Sequence, residues 1–316
     1  MLNKLPRLVV GLSVGFVFSP PLVAQQPAAA PVQAAPQAPQ APPKFQLNAI
    51  EQAFLDQVLD AWELESGKII TFRCAFERWE YNAAFGPGPD IPLNKDKGEL
   101  SYQKPDKGSF QITEIRKWQA EPTPPGEQTP AVVKGDWIGQ PDAIGEHWVC
   151  DGQAIYEYRH DQKQLVERPI PPEMQGKAIV DGPLPFLFVA EAAKLKQRYW
   201  MRIEQSQQEQ NPNIIWVQAL PKFQQQAADY TAVEVMLDRQ RLMPTHMKVY
   251  LPDGSSHLYM FDVAGATVNG TLDRVKALFS RPPTPWGWTR VVEQPPAPPP
   301  GKPPVHQAAQ PGDMPR

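Results

Sequence analysis

Thr71-Phe72-Arg73-Cys74-Ala75-Phe76-Glu77-Arg78 changes side at every residue. Phe72, Cys74 and Phe76 fall on one side, Arg73 and Glu77 on the other. A period of two with one apolar and one charged face belongs to a strand packed on a core by one side and wetted on the other. Outward from this stretch, segments of strand character recur at 98–103, 108–115, 147–150, 154–159 and 164–168. They continue at 200–205, 214–220, 231–237, 245–251 and 257–263. Asp151-Gly152 and Pro252-Asp253-Gly254 stand between neighbouring segments as turn signals. About eleven strands with short connections predict a mainly β fold, a sandwich or barrel with antiparallel neighbours.

Helices interrupt the series in three places. Asn48 followed by Glu51 reads as a capping box, and Ile50, Phe54, Val58, Ala61 and Trp62 fit one helical face. Gly67 is the expected C′ stop. Further on, Leu184, Phe188, Ala192 and Leu195 share a face of a helix over 189–199, with Lys194, Lys196 and Arg198 at its cation-favouring end. A third, short helix is expected over 272–279. Residues 116–146 show no clear period and read as a long loop insertion.

The two ends differ in kind from the middle. Lys4 and Arg7, the apolar run from Leu8 to Phe18, and Leu22-Val23-Ala24 read as a signal peptide over 1–24. An uncleaved anchor is the alternative, although the run is short of the roughly 20 residues that span a bilayer. Residues 25–44 and 294–316 are Pro-rich spacers without core-forming side chains. The expected β domain therefore occupies 45–293, in the periplasm if the signal is cleaved. In that compartment Cys74 and Cys150 would be either a disulfide or two buried free thiols.

A net charge of −3 and the lack of a basic run exclude a nucleic-acid surface. His147, His160, His246, His257 and His306 fall at no metal-ligand spacing, so neither a metal nor a cofactor is expected. Gly11-Leu12-Ser13-Val14-Gly15 has the spacing of a nucleophile elbow but lies in the signal segment. Asn269-Gly270-Thr271 reads either as a glycosylation acceptor or as a tight turn. No grouping of nucleophile, base and oxyanion donors stands out, and the reading is of a protein that is not an enzyme.

Several motifs occur on this framework in a fixed order. Gly98-Glu99-Leu100-Ser101-Tyr102-Gln103-Lys104-Pro105 resembles the G-x-L-x-x-x-[RK]-P segment of the periplasmic lipoprotein carriers of the LolA family. Phe110-Gln111-Ile112 takes the place of that family's next strand. Val149-Cys150-Asp151-Gly152-Gln153-Ala154-Ile155-Tyr156-Glu157-Tyr158 is similar to its Asp-Gly hairpin, and Leu184-Pro185-Phe186-Leu187-Phe188 to the start of its lid helix. The segments 147–152 and 172–177 also resemble a secreted family of planctomycete bacteria.

The resemblance implies an unclosed antiparallel β-barrel covered by lid helices, acting as a carrier of lipid or lipoprotein acyl chains. The acyl cavity would be lined by Phe72, Cys74, Phe76, Leu100, Tyr102, Phe110, Ile112, Val233, Val235, Val249, Tyr259 and Phe261. Plain core is the alternative for each of these. Leu184, Phe188, Ala192 and Leu195 would face the cavity from the lid. Lys104 takes the place of a family Arg that locks the lid, and it lacks that residue's planar fork of donors. The chain would act as a monomer, with envelope membrane proteins as further partners. An envelope sensor, or a structural interaction module of the same fold, is the second reading.

Overall fold

A computed structural model of the chain describes residues 45–82, 84, 86–122, 134–172, 175–176, 191–270 and 279–293. The expected signal segment, both Pro-rich ends, Leu184, Phe188 and residues 272–278 of the expected third helix lie outside these residues.

Helix α1 (Ala49–Gly67) starts as its sequence dictates. Asn48 Oδ1 accepts from the N–H groups of Ile50 and Glu51, and Glu51 Oε2 accepts from the Asn48 N–H, each at 2.9 Å. Two otherwise unpaired donors are satisfied at the N-terminus. The buried face is Leu55, Val58, Leu59, Trp62 and Ser66, whereas Ile50 is 82 % exposed. Val58 and Trp62 of the expected row are buried, but Leu55 and Leu59 complete the face and Ile50 does not belong to it. Gly67 is the last helical residue, and Lys68 caps the helix in the right-handed region, so the left-handed freedom of a glycine is not used.

Fourteen strands follow among the described residues: β1 (Thr71–Tyr81), β2 (Asn94–Gln103), β3 (Lys107–Ala120), β4 (Gly135–Gly139), β5 (His147–Asp151), β6 (Ala154–Arg159), β7 (Gln164–Pro169), β8 (Tyr199–Ile203), β9 (Ile214–Pro221), β10 (Ala232–Asp238), β11 (Pro244–Tyr250), β12 (Ser256–Phe261), β13 (Thr267–Val268) and β14 (Thr289–Val292). All eleven expected strands are present, and β4, β13 and β14 are additional. They form one sheet in the order β14-β7-β6-β5-β3-β2-β1-β12-β11-β10-β9-β8, with β4 added to β3 and β13 to β1. Every pairing is antiparallel except β14 with β7. The two end strands, β14 and β8, do not pair, so the barrel is unclosed.

Residues 116–146 are not one loop. β3 continues to Ala120, and its second half pairs with β4. The outer face explains why this polar-looking segment is ordered. Lys95 Nζ lies 4.3 Å from the Trp79 ring centre and 3.4 Å from that of Trp137, and Trp137 meets Trp118 edge-on at 4.6 Å. Cation–π and aromatic contacts replace the regular alternation that a sequence pattern detects. A bulge between Lys97 and Gly98 then resets the register, so that Phe110 and Ile112 pair with Leu100 and Gly98, while Ile115 pairs with Asp96.

The main core lies on the inner face of the sheet, under α1 and α2 (Ala192–Arg198). Ala192 and Leu195 are buried in it, and Tyr199 already belongs to β8. A second, small core of Ala154, Tyr156 and Leu165 forms on the other face, with Tyr158 packed against it.

Candidate functional site

The inner face of β1 carries Phe72, Cys74 and Phe76, all buried. Neighbouring strands add Leu100 and Tyr102 from β2, Phe110 and Ile112 from β3, Val233 and Val235 from β10, and Val249 from β11. Tyr259 and Phe261 of β12 are partly buried against the same cluster. All twelve expected cavity residues therefore meet on one surface. α1 adds four large side chains to this cluster, Leu55, Val58, Leu59 and Trp62, of which the helical row read from the sequence held Val58 and Trp62 and the expected cavity lining held none. That lining also omitted Trp148 and Ile115, which pack on the edge of the cluster.

The aromatic members form a row across five strands. Trp148 stacks on Phe110 at 5.8 Å, Phe110 on Phe76 at 4.8 Å, and Phe76 meets Tyr259 at 6.1 Å. Tyr259 and Phe261 lie parallel at 6.3 Å. Gly98 makes the row continuous. It lies opposite Phe76, and a Cβ at that position would stand 2.4 Å from Phe76 Cζ. The glycine of the G-x-L motif is thus needed for the close approach of a ring.

Lys104 is placed at one rim of this surface. Its Nζ donates to Gly67 O at the C-terminus of α1, 3.2 Å away, and its N–H donates to Ile70 O at 2.8 Å. A cation at this helix end is favoured by the helix dipole as well as by the hydrogen bond. Among the described residues Lys104 thus bonds to α1 and not to the expected lid helix. Two residues on, Asp106 Oδ2 accepts from the Gly176 N–H at 2.6 Å. Asn269, whose φ is +52°, braces the same rim. Its Oδ1 accepts from the N–H groups of Ile70 and Thr71, and its Nδ2 donates to Lys68 O at 2.9 Å. The side-chain amide of the Asn-Gly-Thr motif thus serves the turn.

α1 is held along its length as well. Glu63 Oε2 accepts from the Ala192 N–H at 3.0 Å, and Asp56 pairs with Lys196 at 2.9 Å. Near its start, Phe45, Leu47, Phe54 and Ile203 line a shallow polar-rimmed pocket of about 260 Å³ with Arg202 and Glu204.

A disulfide between Cys74 and Cys150 does not form, and both thiols are free and buried. Cys74 is on β1 and Cys150 on β5, with β2 and β3 between them. Three strand spacings of about 4.8 Å put the two far beyond the roughly 7 Å that a disulfide bridges. Burial pushes the Cys74 thiol up to about 12 and the Cys150 thiol up to about 11, so both stay protonated at neutral pH.

On the outer face, His147 stacks on Tyr158 at 4.1 Å, and Trp288 meets Tyr158 edge-on at 6.1 Å. Burial, helped by the neighbouring His160, lowers the His147 pKa to about 4.

No family model matches the chain, and no curated protein does. Among solved structures, an uncharacterized conserved protein from Thermus thermophilus is similar at 8 % identity and a TM-score of 0.37, over 75 % of this chain and 98 % of the other. The MucA/MucB complex of Pseudomonas aeruginosa is similar at 12 % identity and a TM-score of 0.34, over 70 % and 60 %. A LolA superfamily protein from Nitrosomonas europaea is similar at 9 % identity and a TM-score of 0.30, over 71 % and 97 %. Identities and scores of this size leave the functional reading to the residues themselves.

Proposed function

We propose that the chain is a periplasmic binding protein that holds acyl chains of lipids or lipoproteins on the inner face of its unclosed sheet, without catalysis. One observation carries the reading. The apolar inner surface is roofed by a helix, while the two end strands do not pair with each other. Exchanging that roof for a ligand breaks no strand pairing. The motifs at 98–105 and 149–158 support the same reading through their resemblance to acyl-chain carriers.

The apolar terms are of similar size. Undocking α1 exposes Leu55, Val58, Leu59 and Trp62, at about 1.5–3 kcal/mol each, or roughly 6–12 kcal/mol together. A twelve-carbon chain laid on the vacated surface returns about 0.8 kcal/mol per CH₂, on the order of 9 kcal/mol. The contacts of Lys104, Ala192 and Lys196 with α1 add to the cost of undocking, at about 0.5–1.5 kcal/mol each, and so favour release of the cargo.

The test is extraction of the purified mature protein with organic solvent, followed by mass spectrometry. Co-purifying acyl lipids, or saturable uptake of a fatty-acyl probe, are the expected results. A protein that carries no lipid and takes up no probe would overturn the reading.

A protein-docking role has one observation in its favour. Trp286 is 99 % exposed in a loop braced by Arg290, which donates to Pro282 O and Thr284 Oγ1. Exposed tryptophans on rigid supports are frequent interface anchors. Loss of a captured envelope protein on Trp286→Ala, with acyl binding retained, would establish that role beside the first.

A further inference from the structure

The inner face of β1 does not stay apolar. After Phe72, Cys74 and Phe76 come Arg78 and Glu80. Arg78 is 9 % exposed and Asp96 2 %. Arg78 Nη2 lies 2.8 Å from Asp96 Oδ2 and 2.9 Å from Glu80 Oε1, and its Nη1 lies 2.9 Å from Glu146 Oε2. Glu80 also accepts from Asn94 Nδ2 at 2.6 Å.

One guanidinium thus faces three carboxylates. The other titratable neighbours do not balance the charge. His257 lies 3.9 Å from Glu80, and burial lowers its pKa, so it is neutral at pH 7. Tyr259, opposite Arg78, is pushed up to about 12 by burial and stays neutral too. Lys117, opposite Asn94 on β3, is exposed and pulls on Asp96 only weakly, so that even with it two cations face three carboxylates. Burial raises the Asp96 pKa, against the pull of Arg78 and, more weakly, of Lys117. Two buried acceptors of this cluster have no hydrogen-bond partner among the described residues: Asp96 Oδ1 and Asn94 Oδ1. They belong to residues two apart on β2, which point to the same face.

What would satisfy this cluster is positive and donates hydrogen bonds. An anionic head group would meet the carboxylates. Among the described residues no group of His, Cys, Asp and Glu is arranged to hold a metal ion. A quaternary ammonium brings charge but no N–H. A primary ammonium brings charge and three donors, with no acceptor to leave unpaired.

We propose that the Arg78–Asp96 cluster is a head-group subsite for a primary ammonium, carried by an amphiphile whose tail lies on the aromatic row. The tail subsite is contiguous: Arg78 is opposite Tyr259 and Phe76 opposite Phe261, and Phe76 and Arg78 are only two residues apart on one face. This inference rests on the acyl-binding reading above.

The test uses the exported chain and three amphiphiles with one tail: dodecylamine, dodecyltrimethylammonium and dodecanoate. Each competes with a fluorescent fatty-acyl probe at pH 7. Dodecylamine is expected to displace the probe at a concentration at least tenfold lower than either of the others. Asp96→Asn should shrink that ratio below about threefold. Glu146→Gln, at an exposed loop position, should shrink it partly, and it decides the matter if the Asp96 variant fails to fold. Equal displacement by all three, or an unchanged ratio in the folded variants, overturns the subsite and leaves the acyl reading standing. Displacement by none of them overturns both.

Discussion

The ring of Phe76 stacks on the ring of Phe110, with centres 4.8 Å apart and planes 22° from parallel, although β2 runs between their strands. Only Gly98 lets the rings meet, because it alone puts no side chain between them. Gly98→Ala should therefore destabilise the domain by about 1–3 kcal/mol, the usual cost of overpacking. Urea denaturation measures this. Wild-type stability would mean that the rings do not cross β2 as described.

Lys104 ties the β2–β3 turn to the end of α1 through Gly67 O. Lys104→Met keeps the aliphatic stem and removes the donor. It should cost about 0.5–1.5 kcal/mol and speed hydrogen exchange in the last turn of α1 above all. Acyl-probe uptake should also quicken, since the roof is held less firmly. Unchanged exchange in that turn would mean that Lys104 does not hold α1.

Asn269→Gly separates backbone conformation from side-chain bonding. Glycine accepts the positive φ at 269 without strain, so the substitution removes only the hydrogen bonds to residues 68–71. A loss of about 1–3 kcal/mol is expected. If Asn269→Gly is neutral while Asn269→Ala is harmful, the residue matters for its φ alone.

Stability should fall on mild acidification. Burial holds His147 neutral in the folded chain, with a pKa lowered from 6.5 to about 4. Between these values the unfolded chain binds the extra proton, so stability rises with pH. His147 thus contributes stability above about pH 6.5, and that contribution is lost as pH falls towards 4. His160, His246 and His257 are shifted in the same direction and add to the slope. His147→Phe keeps the stack on Tyr158 and should remove about 1–2 kcal/mol of the pH-dependent loss, after discounting for partial exposure. Denaturation at pH 7.5 and pH 4.5 tests this, and an equal loss in both proteins would contradict it.

Much of this architecture was legible because alternation reports burial directly. Phe72, Cys74 and Phe76 marked the inner face of β1, and the eleven strands found by pattern all exist. β4 was not legible, because Trp118, Trp137 and Lys95 order it through ring and cation contacts that have no period. The face of α1 was legible at Val58 and Trp62 but not at Ile50, which is apolar yet stands at an exposed first turn. Arg78 carried a usable signal. It continues the two-residue period of Phe72, Cys74 and Phe76, and a charge on an apolar stripe marks a paired buried group. Its partners could not be foreseen, since Glu146 is 68 residues away in the chain.

The central claim is that an acyl chain lies on the inner face along the row of Phe76, Phe110 and Tyr259. The most direct measurement is photolabelling with a fatty-acyl diazirine, followed by peptide mapping of the adducts. Adducts confined to β1, β3 and β12, and competed away by unlabelled fatty acid, are the predicted result. Adducts scattered over the outer face, or insensitive to competitor, would contradict the account.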